Sequence, residues 1–221
     1  MKKEIESDLF TTNKGPVSIS FIGHGTLMID ASGTVIHVDP WAREADYKRL
    51  PPADLILITH HHFDHLDKKA VKRIRRESTQ VILTESSAKK ITDSIIMKNG
   101  DTMTMGEITI DAVPAYNTTK GRTKFHPKGR DNGYVITVND FRIYVAGDTE
   151  VIPEMNSITD IDAAFLPVNQ PYTMTPEQAA QAAKTIKPKI LYPYHYGSTD
   201  VSVLQSLLKD EPVEVRIRKL S

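Results

Sequence analysis

Apolar residues along this chain fall in short runs that switch between the two-residue period of half-buried strands and the 3.6-residue period of helices. From residue 16 the runs VSISFIG, TLMIDA and TVIHVDP, separated by turn signals at Gly23-His24-Gly25 and Ser32-Gly33, predict an antiparallel meander. DLILIT at residues 54–59 is continuously apolar, as expected of a strand covered on both faces. Next, KKAVKRIRR places Ala70, Val71 and Ile74 on one helical face and its cations on the other, with Asp67 as N-cap. Residues 80–84 predict a strand and residues 86–95 a short helical piece, and Asn99-Gly100 marks a turn into the alternating MTMGEITIDAVPA.

Residues 116–131, YNTTKGRTKFHPKGRD, follow neither period and are rich in Gly, Lys and Thr, which predicts a long loop of the kind that carries function. Strands are expected at 133–138 and 141–146, joined by Asn139-Asp140, a two-residue hairpin signal without its usual glycine. The last third alternates strand and helix. A strand at 163–168 precedes a helix with Thr175 as cap, Pro176 at its first position and Gln178 closing a capping box. Ala179, Ala182, Ala183 and Ile186 give that helix a small apolar face, and a strand at 189–195, a helix from Asp200 and a terminal strand PVEVRIR follow. Two groups of strands with interspersed helices, undivided by a linker or an internal repeat, predict a single α/β (α+β) domain over residues 1–221.

Composition narrows the function. Lys plus Arg equals Asp plus Glu at 28 each, so no basic field draws nucleic acid, and nucleic acid is not an expected partner. MKKEIESDLF has two lysines but no apolar run of signal-peptide length behind them. No other segment reaches membrane-spanning length, so the expectation is a cytoplasmic protein acting on a small molecule, its oligomeric state left open. The absence of cysteine removes disulfides, thiolate ligands and a cysteine nucleophile, so any metal must be held by nitrogen and oxygen.

Residues 59–67, THHHFDHLD, hold four imidazoles and two carboxylates. Packing explains such a stretch poorly, because each buried polar group would need its own partner. Around a divalent ion the same groups satisfy one another, and imidazole with carboxylate suits zinc and related metals. A solvated surface cluster is the alternative. Taken singly, Asp148 in Gly147-Asp148-Thr149 reads as a turn residue and His195 between Tyr194 and Tyr196 as a core histidine. His37 reads as an ordinary sheet histidine, His61 as turned away from its neighbours, and His24 as either near the metals or purely structural.

His60-Xaa-His62-Xaa-Asp64-His65 after a buried strand, Gly147-Asp148-Thr149 after a later one and His195 after a third resemble the metal-binding motifs of the metallo-β-lactamase superfamily. Gly23-His24-Gly25, Asp39-Pro40, Pro114-Ala115-Tyr116-Asn117, His126-Pro127-Lys128-Gly129 and Pro171-Tyr172-Thr173-Met174 further resemble the branch of ascorbate-6-phosphate lactonase and N-acyl-phosphatidylethanolamine phospholipase D. The resemblance implies a four-layer αββα sandwich and two divalent ions, zinc foremost with manganese or iron as alternatives. It implies His60 and His62 on the first ion, Asp64 and His65 on the second, Asp148 bridging, and His195 completing the second. Asn117 stands where relatives place a further histidine, so His126 is the expected third ligand of the first ion, with Asn117 or a water as alternatives. Asp39 is expected to orient the imidazoles. The implied activity is binuclear hydrolysis of an ester, lactone or phosphodiester by a metal-bridging hydroxide. Leaving-group protonation would fall to Asp64, another site group or a metal-bound water. Tyr172 in the loop 168–174, together with Tyr194 and Tyr196, would contact substrate, and Lys120, Arg122, Lys124 and Lys128 would draw it if anionic. A non-catalytic metal-stabilised binding protein and a mononuclear iron oxygenase on the same fold are the competing readings.

Overall fold

The computed structural model describes residues 5–221; residues 1–4, with the two lysines weighed above as a leader, lie outside the described residues. The described chain forms two sheets of seven strands. The first follows chain order: β1 (Glu6–Thr12), β2 (Gly15–Gly23), β3 (Thr26–Ala31), β4 (Thr34–Val38), β5 (Ala53–Leu57), β6 (Arg75–Leu83) and β7 (Ile95–Ile96). Its first four strands are antiparallel and the rest parallel. The second repeats this plan with β8 (Thr102–Met105), β9 (Ile108–Ala115), β10 (Asp131–Val138), β11 (Phe141–Val145), β12 (Ala163–Pro167), β13 (Ile190–Tyr194) and β14 (Glu214–Val215). The absence of a sequence repeat thus hides a repeated topology.

The inner faces share one apolar core, with Val17, Ile19, Leu55 and Leu57 from the first sheet against Ile110, Ile136, Phe165 and Tyr192 from the second. Helix α1 (Lys68–Ile74) lays Ala70, Val71 and Ile74 over the outer face of the first sheet against Ile56, Ile58 and Val81. On β5, therefore, Leu55 and Leu57 point inward and Ile56 outward, all buried, which is why the run carries no polar alternation. Helices α3 (Pro176–Ile186) and α4 (Val203–Leu207) cover the second sheet through Ala179, Ala183, Ile186 and Leu204. The result is the expected αββα layering, to which the four-residue helix α2 (Glu85–Ala88) adds little. Among the described residues no helix is long and apolar enough to cross a membrane.

Caps behave as their chemistry dictates. The Asp67 carboxylate accepts from Lys69 N (2.8 Å) and Ala70 N (3.4 Å), and Thr175 with Gln178 closes a reciprocal capping box. Boundaries differ where tertiary contacts override local pattern. The helix α1 stops at Ile74 because Arg75 is extended and pairs with Ala53, opening β6 earlier than expected. The expected helix at 86–95 shrinks to α2, since the Arg75 guanidinium draws in the carbonyls of Thr92 and Asp93, and Asp93 adopts φ 52°. A turn at Gly106 (φ 56°) splits MTMGEITIDAVPA into the hairpin β8–β9. The expected helix start at Asp200 moves to Val203 because the Asp200 carboxylate instead accepts from Ser202 N and Oγ. Only Glu214–Val215 of PVEVRIR forms a strand; Arg216 and Arg218 reach across to Asp8 on β1, a strand the sequence reading missed.

His37 is buried on β4, its Nε2–H donating to Pro51 O at 3.0 Å, and burial lowers its pKa from 6.5 to about 4. The fold thus holds it neutral while the unfolded chain takes up a proton below 6.5, so this stability is complete above pH 6.5 and lost as pH falls towards 4. In the metal-free protein, urea denaturation should show the parent losing about 3 kcal/mol more than His37→Leu across that window; parallel losses would contradict this assignment.

Candidate metal centre

The ends of parallel strands, one turn of the meander and the long loop between β9 and β10, which carries His126, deliver the side chains of the site. Asp39 follows β4, residues 58–67 follow β5, Asp148 follows β11, His195 follows β13, and His24 sits in the β2–β3 turn. The backbone there is held in sparsely populated conformations. His24 (φ 53°), Asp39 (φ 45°) and His195 (φ 52°) are left-handed without being glycine, a strain that persists only where surrounding contacts over-determine it. Gly147 shows why a glycine precedes Asp148: with φ 66°, a Cβ there would come within 2.7 Å of Asn132 O.

Two groups of ligand-type atoms result. In the first, His60 Nε2 and His62 Nδ1 lie 3.1 Å apart, and Asp148 Oδ2 is 3.5 Å from His126 Nε2 and 3.8 Å from His60 Nε2. In the second, His65 Nε2 is 3.5 Å from Asp148 Oδ1 and 3.9 Å from Asp64 Oδ2. His195 Nε2 is 3.5 Å from both Asp64 Oδ2 and Asp148 Oδ2. His24, undecided from sequence, joins this second group with Nε2 3.1 Å from Asp64 Oδ2.

In His60, His65 and His126 the far side of the ring is held by a hydrogen bond that leaves the near nitrogen its lone pair. Asp39, fully buried, accepts at Oδ1 from Thr59 N (2.8 Å) and at Oδ2 from Thr59 Oγ1 (2.6 Å) and His65 Nδ1 (2.8 Å). Thr59 Oγ1 in turn accepts from His60 Nδ1 at 3.0 Å, so one carboxylate orients an imidazole in each group. Asp131 does the same for His126, accepting from its Nδ1 at 3.2 Å while Arg130 neutralises the carboxylate at 2.8 Å. Sequence reasoning found Asp39 but missed Thr59 and Asp131.

Electrostatics show what these groups are built to hold. Burial pushes His60 well below its ordinary pKa, and burial followed by the nearby His126 takes His62 down to about 4. Burial works against a charge on His65, yet the carboxylates of Asp148, Asp39 and Asp64 outweigh it and raise that imidazole to about 10. Burial likewise opposes the charges of Asp64 and Asp148, which the surrounding imidazoles nonetheless keep below the usual carboxylate range. His65 Nε2, His195 Nε2 and Asp148 Oδ1 are buried without a hydrogen-bond partner. Leaving such groups unpaired is costly, and convergent nitrogen and oxygen donors among buried carboxylates are satisfied together by divalent cations. The residues therefore fit a metal.

Other candidates land elsewhere. Asn117 stays out of both groups: its Nδ2 donates to Tyr172 O (2.7 Å) and Arg122 O (3.3 Å), tying the long loop to residues 168–174. Tyr194 corrects the expectation of substrate contact, because it faces inward from β13 and is fully buried in the core between the sheets. Tyr196 is likewise turned aside, donating to Arg218 O at 2.8 Å. Two of the loop cations are already paired, Arg122 with the buried Glu150 (3.3 Å) and Lys128 with Glu154 (3.0 Å). Glu150 also accepts from Thr118 N (2.8 Å) and Thr119 N (2.7 Å), an anchor of the long loop that sequence reasoning did not single out. His61 lies outside both groups, and Tyr172 is 45% exposed.

The family model of the beta-lactamase superfamily domain matches residues 18–195. A UPF0173 metal-dependent hydrolase of Koribacter versatilis is 34% identical over 203 residues, 84% of this chain and 86% of that one. A crystal structure described as a metal-dependent hydrolase from Parabacteroides distasonis superposes with TM-score 0.97 at 52% identity, covering 99% of this chain and 100% of that one. Igni18, a metallo hydrolase from the hyperthermophilic archaeon Ignicoccus hospitalis, superposes with TM-score 0.76 at 25% identity, covering 93% and 96%.

Orienting carboxylates of this kind commonly carry about 10–100-fold in metal affinity. Titration against a competing chelator should therefore show both Asp39→Asn and Asp131→Asn weakening metal binding, with the larger loss for Asp39→Asn, whose carboxylate braces rings in both groups. Parent-like affinity in both variants, with circular dichroism unchanged, would contradict the orienting roles.

Proposed function

The chain belongs to the metallo-β-lactamase superfamily and is a metal-dependent hydrolase, and on that premise we propose that it uses two divalent ions, zinc foremost and manganese or iron as alternatives, to cleave an ester, lactone or phosphodiester bond of a small molecule. Asp148 is the observation that carries this reading. Its Oδ2 faces His126 and its Oδ1 faces His65, both at 3.5 Å, so one buried carboxylate stands between two imidazole groups as a shared ligand would. His60, His62 and His126 would hold the first ion, and Asp64, His65 and His195 the second. When bound, the ions supply a water of lowered pKa and positive charge for the oxygen on which negative charge develops.

The chain itself supplies orientation and proton handling. The Asp64 side chain is 18% exposed, against 4% for Asp148 and 0% for Asp39, so it is the carboxylate that reaches the cleft. Held ionised and braced by His24 Nε2 at 3.1 Å, the Asp64 carboxylate would accept a hydrogen bond from the attacking water and orient it, and protonation of the leaving oxygen would fall to Asp64, another site group or a metal-bound water. The loops 116–130 and 168–174, tied by Asn117, shape the mouth where specificity resides. Lactone and phosphodiester centres are favoured by the motif resemblance to the lactonase and phospholipase D branch.

Turnover of generic phosphodiesters and lactones should vanish on chelation and return with Zn²⁺ or Mn²⁺. His62→Ala and Asp148→Ala should lose metal and activity together. Hydrolysis retained without bound metal would sink the mechanism. A broad substrate screen without turnover at full metal occupancy would instead favour a binding role.

A further inference from the structure

Among the described residues six large apolar side chains are exposed: Leu9, Ile95 and Ile96 on edge strands, Val203 on α4, and Phe63 and Tyr172 beside the metal centre. Phe63 is 72% exposed although it lies between His62 and Asp64, so the ligand loop itself carries a bare phenyl ring to the mouth of the site. Its ring meets Trp41 edge-on at 5.9 Å; Trp41 packs 5.1 Å from His24, whose ring lies 3.8 Å from His195. This pair adjoins the second ligand group.

A matching pair adjoins the first. Tyr172, 45% exposed, meets Phe125 edge-on at 5.0 Å, and Phe125 immediately precedes His126. The position of Tyr172 is fixed from both sides, its carbonyl accepting from Asn117 Nδ2 (2.7 Å) and its N–H donating to Asn169 O (2.9 Å). Each pair also carries one cation over a ring: Arg43 is 5.3 Å from the Trp41 centroid and Lys124 Nζ 5.2 Å from that of Phe125. Paired rings present edges and faces that select a flat partner, and the flanking cations favour a negative one.

We propose that the substrate is an anion bearing an aromatic or comparably flat apolar substituent beside the scissile bond, gripped by Phe63 and Tyr172. This rests on the hydrolase reading above, in which the metal groups receive the scissile centre. A lipid chain could cover the same rings but gains nothing from their faces, so a flexible alkyl probe separates the two ligand types.

The test is calorimetric titration of the zinc-loaded full chain with phenyl-, hexyl- and methylphosphonate. Fluorescence of Trp41, the sole tryptophan, reports whether that wall is engaged. Phenylphosphonate should bind about tenfold tighter than methylphosphonate and tighter than hexylphosphonate, and the Phe63→Ala/Tyr172→Ala variant, its metal content unchanged, should reduce the phenyl preference to about twofold or less. Equal phenyl and methyl affinities, a hexyl preference, or a phenyl preference that survives the double variant would overturn the inference while leaving the hydrolase reading intact. No binding of any phosphonate at full zinc occupancy would also overturn the inference, whereas the hydrolase reading fails only on the turnover test above.

Discussion

The buried carboxylate of Asp39 is the contact on which the rest of the site depends. It sits where β4 ends, takes both the backbone N–H and the hydroxyl of Thr59 where β5 ends, and receives His65 Nδ1 from the loop beyond. Two neighbouring strand ends and the ligand loop are thereby joined at one fully buried anion. Through Thr59 the same anion orients His60, so the near nitrogens of two rings in two different groups answer to one side chain. Asp131, with Arg130 as counter-charge, adds a separate brace for His126.

A site assembled in this way stores unfavourable energy in the metal-free protein. Three of its residues hold left-handed backbone, and three of its buried polar atoms lack partners. The αββα core tolerates this because its own packing is complete: each sheet is covered on both faces, and the strand ends that bear the ligands project from buried strands. Metal binding would relieve the unpaired donors, so affinity and folding stability are linked in this fold.

Much of this was legible in the sequence, and the failures have physical causes. The nonapeptide at 59–67 announced a metal site because no ordinary core satisfies so many imidazoles, and DLILIT announced the buried strand that delivers it. Strand β1 went unseen because an edge strand needs little apolar surface, and Leu9 on it is 71% exposed. Tyr194 was misread because every residue of β13 is buried, so no polar alternation reveals which side chains face the core and which the cleft. Asp131 resembles any carboxylate beside an arginine until the return from the long loop brings it under His126. The loop itself has no period, so the choice between Asn117 and His126 had no local signal; in the folded chain only His126 turns its ring towards Asp148.

The central claim is that two ions share Asp148. Anomalous diffraction from crystals of the zinc-loaded chain tests it most directly. The account predicts two peaks, one at roughly 2.0–2.2 Å from His60 Nε2, His62 Nδ1 and His126 Nε2, the other at that distance from Asp64, His65 Nε2 and His195 Nε2, with a carboxylate oxygen of Asp148 on each. A single peak, or a first ion bound by Asn117 with His126 turned away, would contradict it.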